Sequence, residues 1–201
     1  MPGRSAASGR GRSGARESRA AAGVMNGILE CSLYVLNLAM AARAPPCYAP
    51  KAMTEPLIRP IRPADEPEWR RLWRAYLEFY ETTVPEAVYR ESFARLLSDA
   101  PHTFHGRIAE IGGRPRGLVH YLFHAHMWRI EPVCYLQDLY VDPETRGTGL
   151  GRALIEAVYA EADAAGAPAV YWLTQDFNHT ARRLYDRVGV LTPFIRYNRP
   201  S

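Results

Sequence analysis

Lysine is nearly missing from this chain of 201 residues: Lys51 is the only one, and every basic residue after it is arginine. That absence removes the nucleotide-binding loop that needs Lys-Ser/Thr directly behind its glycines. Alanine and proline are plentiful, so the bland origin of the arginine bias is a GC-rich coding sequence. Cysteine is scarce as well. Cys31, Cys47 and Cys134 are odd in number and match no metal-ligand spacing. No disulfide framework and no cysteine-held metal is expected, and a reducing, cytoplasmic compartment is. Long apolar runs are limited to residues 24–42, interrupted by Asn26, Glu30, Ser32 and Asn37. That run reads as a signal core, a weak anchor or the helix of an arginine-rich transit peptide, and Glu30 near its centre argues against the anchor.

Excess positive charge is also missing from most of the chain. The formal net charge is +4 and the pI about 9.1, which would suit a nucleic-acid partner if the charge were spread. It is not. Arg4, Arg10, Arg12, Arg16, Arg19, Arg43 and Lys51 stand against only Glu17 and Glu30 in residues 1–52, and the remainder is near neutral. Neither nucleic acid nor membrane is expected as a partner. Residues 1–23 are low-complexity Gly/Ser/Ala/Arg and are expected to be disordered. Residues 1–52 read as an upstream over-extension ahead of a true start at Met53, with a targeting peptide as the rival. Residues 53–201 then form one domain.

From Met53 onward, turn signals divide the chain at regular intervals. "LIRPIRP" reads as a short edge strand with its prolines. Asp65 is placed to cap a helix over about 66–80, with Trp69, Leu72, Trp73, Tyr76 and Phe79 at helical spacing. A second helix is expected over about 85–98. "HGRIAEI" and "RGLVHYLFHAHMW" are strands around a "GGRP" hairpin, and "CYLQDLYV" is another. A helix over about 149–165 ends at Gly166 and Pro168. "AVYWLTQ" reads as a strand buried on both faces. "NHTARRLYDRVG" is a helix from Asn178 to Gly189, and "LTPFIRYN" is expected to close the sheet as an edge strand. The order β-α-α-β-β-β-α-β-α-β predicts an α+β fold, a three-layer α/β/α sandwich of mixed sheet with helices on both faces.

The chemistry starts at "RGTGLG", Arg146 to Gly151, between a strand and a helix. It lacks the G-x-G-x-x-G spacing of a dinucleotide fingerprint and the Lys-Ser/Thr of a P-loop. Arg-x-x-Gly-x-Gly fits, and its physics is an anion nest: glycines aim backbone N–H groups at one pyrophosphate, and the next helix adds its positive end. A plain glycine-rich turn is the alternative. "LYVDPETRGTGLGRALIEAV" resembles the acetyl-coenzyme A loop of the GNAT acetyltransferase superfamily, and "NHTARRLY" resembles its Asn-x-x-Ala-x-x-Leu-Tyr helix at Asn178, Ala181, Leu184 and Tyr185. The likeness covers roughly Leu57 to Asn198. "YLQDLYV" and "AVYWLTQDFNHTARRLYDRVG" are closest in wording to the histone-and-polyamine and diamine acetyltransferases.

The resemblance implies a mostly antiparallel sheet that splays between two parallel strands, and acetyl transfer from acetyl-CoA to an amine by direct attack in a ternary complex. It implies that backbone groups of Leu139, Tyr140 and Val141 hold the pantetheine arm, and that Val141 N–H polarises the thioester carbonyl. Arg146, Gly147, Thr148, Gly149, Leu150, Gly151 and Arg152 would hold the pyrophosphate, with Asn178 also on the cofactor. Tyr185 falls at the general-acid position. Gln137 stands where the diamine enzymes carry glutamate, and an amide cannot accept a proton. Asp138 is left, on the opposite face by strand alternation. It binds a cationic acceptor, orients a water, or makes a structural hydrogen bond. Cys134 reads as a core thiol. His120, His124 and His126 share strand parity, with a base or acceptor-contact role open for one of them; no metal is expected. Acceptor specificity would come from about Trp69 to Val84, with Glu78 or Glu81 near a pocket mouth. A small primary amine, such as a polyamine or an amino acid, is the expected acceptor. A protein lysine or N-terminal acetyltransferase and a non-turnover coenzyme A sensor are the alternatives, and a homodimer is what the family suggests.

Overall fold

The structure, a computed structural model, describes residues 55–101 and 103–200. What was expected of residues 1–52 and of a start at Met53 lies outside the described residues. The elements run β1 (Leu57–Pro60), α1 (Glu66–Phe79), α2 (Glu86–Leu96), β2 (Phe104–Ile111), β3 (Arg114–His124), β4 (Val133–Val141), α3 (Leu150–Ala164), β5 (Ala169–Trp172) and α4 (His179–Val188). They build one sheet in the order β1-β2-β3-β4-β5, antiparallel throughout except for the parallel β4–β5 pair.

Each face of the sheet carries its own core. On one side the helical spacing of Trp69, Leu72, Trp73 and Leu77 in α1, with Tyr89 and Phe93 of α2, meets Ile108, Leu118 and Tyr140 of the sheet. On the other, Leu150, Leu154, Ile155, Val158 and Ala162 of α3 cover Ala109, Val119, Tyr121, Cys134 and Leu136, with Leu184, Tyr185 and Val188 of α4 at the rim. The result is the α+β sandwich read from the element order. Burying α1's four apolar residues is worth roughly 1.5–3 kcal/mol each, which is what fixes that helix to the sheet.

Three local expectations are corrected. The segment "LTPFIRYN" forms no strand: Val190, Leu191, Phe194, Ile195 and Tyr197 are exposed in irregular chain. Alternation alone does not make a strand. Pro193 withholds a ladder donor at its centre, and no neighbour pairs with it. Consequently β5 is itself an edge, only Ala169–Trp172, and none of its residues is fully buried. Asp65 does not cap α1 with its side chain. Its carboxylate instead grips Arg59 through two bonds of 2.6 and 2.7 Å and accepts the Arg62 N–H at 2.7 Å. Arg59 also bonds Glu110 of β2 through Nε at 2.9 Å. A buried guanidinium outcompetes a backbone N–H for a carboxylate, because the ionised bond is the stronger one. The Arg59 bonds, ahead of the Arg62 contact, hold the Asp65 carboxyl below the usual carboxylate range against the opposing effect of burial.

A bulge interrupts the alternation along β4. Tyr121 pairs with Leu136 and His120 with Asp138, so Gln137 is an extra residue, a β-bulge. Leu136 faces the α3 core, whereas Asp138 faces the α1 side, although both positions have the same parity. The rule of alternating faces does not carry through the bulge.

Candidate active site

The two parallel strands pair only over Val133–Leu136 and Ala169–Trp172. Beyond Leu136 the edge of β4 that would face β5 has no strand partner. The Asp142 N–H bonds Arg116 of β3 at 2.8 Å. By strand alternation the backbone groups of Leu139 and Val141 then point away from β3, into the gap. Unpaired backbone amides at a sheet's interior are costly unless a ligand or water meets them. The strand's own side chains do not fill the gap: Leu139 and Val141 pack on the α3 core, and Tyr140 packs on the α1 core, and only the Val141 carbonyl is met, by Arg146 Nε at 3.3 Å.

The chain leaves β4 at Asp142, makes a short turn over Pro143–Thr145 and runs through the glycine loop. Gly147 and Gly149 have φ of 81° and 90°, and a Cβ at either would meet nothing. These glycines are therefore needed for backbone direction and not for room. Thr148 Oγ1 donates to the Thr145 carbonyl at 2.7 Å and Arg146 Nε to the Val141 carbonyl at 3.3 Å, which tie the loop back on itself. The first helical bond of α3 runs from Ala153 N–H to the Gly149 carbonyl. The N–H groups of Leu150, Gly151 and Arg152 thus have no partner within the helix and stand at its positive end. That is an anion cradle made of backbone.

The side chains of the same loop differ in what they leave free. The Leu150 side chain is fully buried in the α3 core. The Arg152 guanidinium is turned onto Glu156 at 2.7 Å. Gly151 serves packing, since a Cβ there would press on Leu184 at 3.2 Å. Both arginines are exposed, but Arg152 is paired with Glu156, whereas Arg146 has no carboxylate partner among the described residues. Asn178 is the N-cap of α4, its Oδ1 accepting the Ala181 N–H at 3.2 Å and its Nδ2 facing Thr174 at 3.4 Å. It shapes the helix that carries Tyr185. Tyr185 sits edge-on to Trp172, ring centroids 5.4 Å apart. Burial, and to a lesser degree the neighbouring Tyr80, push its hydroxyl up to about 12.

On the α1 face a second polar group gathers around Asp138, which is 6% exposed. His120 Nδ1 lies 2.9 Å from Asp138 Oδ2, and Trp69 Nε1 donates to His120 Nε2 at 2.9 Å. Burial, the Asp138 charge and hydrogen bonding to that carboxylate push the Tyr76 hydroxyl well above the ordinary phenol range. Tyr80 is raised by burial first and the Asp138 charge second. His124 instead bonds the Tyr171 hydroxyl at 3.0 Å, and His126 lies in the loop beyond β3. The three histidines do not converge, and among the described residues no group of His, Cys, Asp and Glu is arranged to hold a metal ion. Glu78 and Glu81 are exposed at the end of α1, and Glu81 has φ of 53°. Cys134 is buried among apolar residues, which raises its thiol to about 11. Trp69 opens the segment expected to set acceptor specificity, but its bond to a histidine 51 positions away leaves no signal in the sequence. Helical spacing explains only why Trp69 is buried.

The family model for the acetyltransferase (GNAT) family matches residues 69–190. A D-amino-acid N-acetyltransferase of Saccharomyces cerevisiae, HPA3, is 41% identical over 145 residues, spanning 71% of this chain and 89% of the relative. The chain belongs to the GNAT acetyltransferase family. It is an N-acetyltransferase. A thialysine N-epsilon-acetyltransferase of Caenorhabditis elegans is 33% identical over 84 residues, which span 42% of this GNAT chain and 52% of that protein. The fold also matches an aminoglycoside N-acetyltransferase solved with CoA, TM-score 0.64 at 19% identity, over 73% of this chain and 95% of that one. Among the described residues, no helix of this GNAT chain is long and apolar enough to cross a membrane.

Proposed function

We propose that this GNAT chain transfers acetyl from acetyl-CoA to the primary amine of a small molecule, with amino acids and polyamines as the first candidates. The observation that carries the donor half is the unpaired β4 edge ending in a left-handed glycine loop at a helix N-terminus. The residues fit coenzyme A: a strand edge for the pantetheine amides and a backbone cradle with Arg146 for the pyrophosphate. Bound there, acetyl-CoA supplies an acetyl thioester. The acceptor half rests on the relatives, whose names give a D-amino acid and thialysine as what they acetylate.

The roles of the chain's own groups follow from their chemistry. Val141 N–H offers a hydrogen bond into the gap where the reacting carbonyl would lie. Asp138 draws the amine in as its ammonium and is able to take the proton that the amine sheds before it attacks. Tyr185 holds its proton throughout the physiological range, because its hydroxyl is raised to about 12, and donates it to the leaving thiolate. No acyl-enzyme is needed, and the raised, buried Cys134 thiol is poorly suited to form one.

A free-thiol release assay with acetyl-CoA tests the reading against putrescine, spermidine, D- and L-amino acids, an aminoglycoside and a histone peptide. Turnover with a small amine is the expected result. Turnover confined to the peptide would overturn the acceptor class, and tight coenzyme A binding without turnover on any amine would overturn catalysis.

A further inference from the structure

The described chain buries three aspartates, and their partners differ in kind. Asp65 is clasped by Arg59, and Asp142 accepts from Arg71 at 3.1 Å and from Arg116 at 3.5 Å. Asp138 forms no salt bridge with an arginine among the described residues; its charged-atom contact is His120. The direction of hydrogen bonding around that histidine is fixed by chemistry. An indole N–H can only donate, so His120 Nε2 must accept from Trp69 and carries no proton. The ring's one proton is then on Nδ1, which donates to Asp138. A second ring proton would point N–H against the Trp69 N–H. The other titratable groups facing Asp138 are Tyr76 of α1, Tyr80 just beyond its end and Tyr135 of β4, all neutral phenols, with Arg196 of the C-terminal segment acting on Tyr135.

We infer that Trp69 and His120 form a hydrogen-bonded relay that holds Asp138 in place, without a counter-charge, for the ammonium of the acceptor amine. The inference rests on the reading of Asp138 as the acceptor contact. Both ring nitrogens of His120 are engaged, on Asp138 and Trp69, and the indole N–H of the fully buried Trp69 is spent on His120, so neither has a polar group left for the amine and both are positioning residues. A carboxylate this buried is costly when it lacks a cation, and a guanidinium partner was available elsewhere in this chain for each of its two counterparts. Leaving it uncompensated makes sense where a cationic ligand completes the site. The bulge at Gln137 is the backbone device that turns Asp138 to the α1 side where the relay lies.

The test uses the full-length protein and two readouts. In the first, 15N-histidine NMR reports the His120 tautomer. A proton on Nδ1 is expected, and one on Nε2 would overturn the relay. Adding putrescine or D-alanine should shift that Nδ1 signal in the wild type and not in Asp138→Asn; an equal shift in both would place the amine elsewhere. The second readout is steady-state kinetics with whichever of these two amines turns over faster. His120→Leu should raise the amine KM by about ten- to a hundredfold, the worth of a hydrogen bond to a charged group, and leave the acetyl-CoA KM alone. His120→Asn retains a donor to Asp138 and should recover most of that loss, as should Trp69→Phe if it folds with the ring proton still on Nδ1. A merely structural role would move the melting temperature and both KM values together, with no rescue by asparagine. If neither amine is acetylated, the acceptor assignment fails, while the tautomer and the Asp138-dependent shift still decide the relay.

Discussion

The proposed donor and acceptor halves of this site are built from different materials. The donor half, from Leu139 to Arg152, is backbone: an unpaired strand edge, two left-handed glycines and the free N–H groups of a helix end. Of its side chains, Leu139, Val141 and Leu150 lie in the core and Arg152 is turned onto Glu156, which leaves Arg146 as the one proposed side-chain contact. The acceptor half is side chain: Trp69 and Tyr76 from α1, Tyr80 just beyond its end, His120 from β3 and Asp138 from β4. Backbone recognition tolerates much substitution outside the glycines, because every residue except proline supplies an N–H. Side-chain recognition does not, because each group must be the right one in the right place. The contrast explains how one fold can keep a common donor and change its acceptor.

The sharpest way to separate the halves is Tyr185→Phe, since in the proposed mechanism Tyr185 serves the chemistry and binds neither substrate. We expect kcat to fall by about 10²–10⁴ with little change in either KM, read from initial rates. An unchanged kcat removes Tyr185 from the mechanism. Next in size is the anchoring of the acceptor wall. Asp65→Ala leaves Arg59 and its partner Glu110 without their third member and should cost about 3–5 kcal/mol of folding stability in denaturant melts. The same group makes stability depend on pH with a definite sign. Its folded carboxyl titrates below the unfolded value, so its contribution is present above about pH 4 and is lost as the pH falls through the folded value. Asp65→Asn should flatten that acid limb of the melting curve, and a wild-type slope in the variant would show that another group causes it.

A smaller effect belongs to the donor half. Gly149→Ala places a Cβ in a left-handed conformation at a cost of about 1–2 kcal/mol. It should raise the acetyl-CoA KM by about tenfold and leave the amine KM unchanged. An equal rise in both would erase the distinction between the halves. Smallest is Asn178→Ala, which removes the cap of α4 and should cost about 1 kcal/mol. Here the melting temperature should fall while the acetyl-CoA KM stays put; a rise in that KM would show Asn178 touching the cofactor directly.

The donor half could be read from the sequence because it is local. "DPETRGTGLG" lies within one turn, and its conformation follows from glycines at positions where other residues are strained. The α4 motif is equally local: Asn178 caps the helix, and Tyr185 lies two turns on. The elements were also readable, except where a neighbour decides the outcome. "LTPFIRYN" has the alternation of a strand and no partner to pair with, and "AVYWLTQ" looks doubly covered but lies at an edge.

By itself the sequence determined the family, the element order as far as α4 and the loop proposed to grip the donor, because each is a property of residues close in the chain. Only the tertiary structure decided where Asp138 points and what holds it there. Alternation would carry its face forward from Leu136, and the bulge at Gln137 breaks that count. Its partners come from 18 residues upstream, and theirs from a further 51. Spacing along a chain fixes a face of a helix or strand. It does not fix which two faces meet, and the acceptor side of this enzyme exists only at such a meeting.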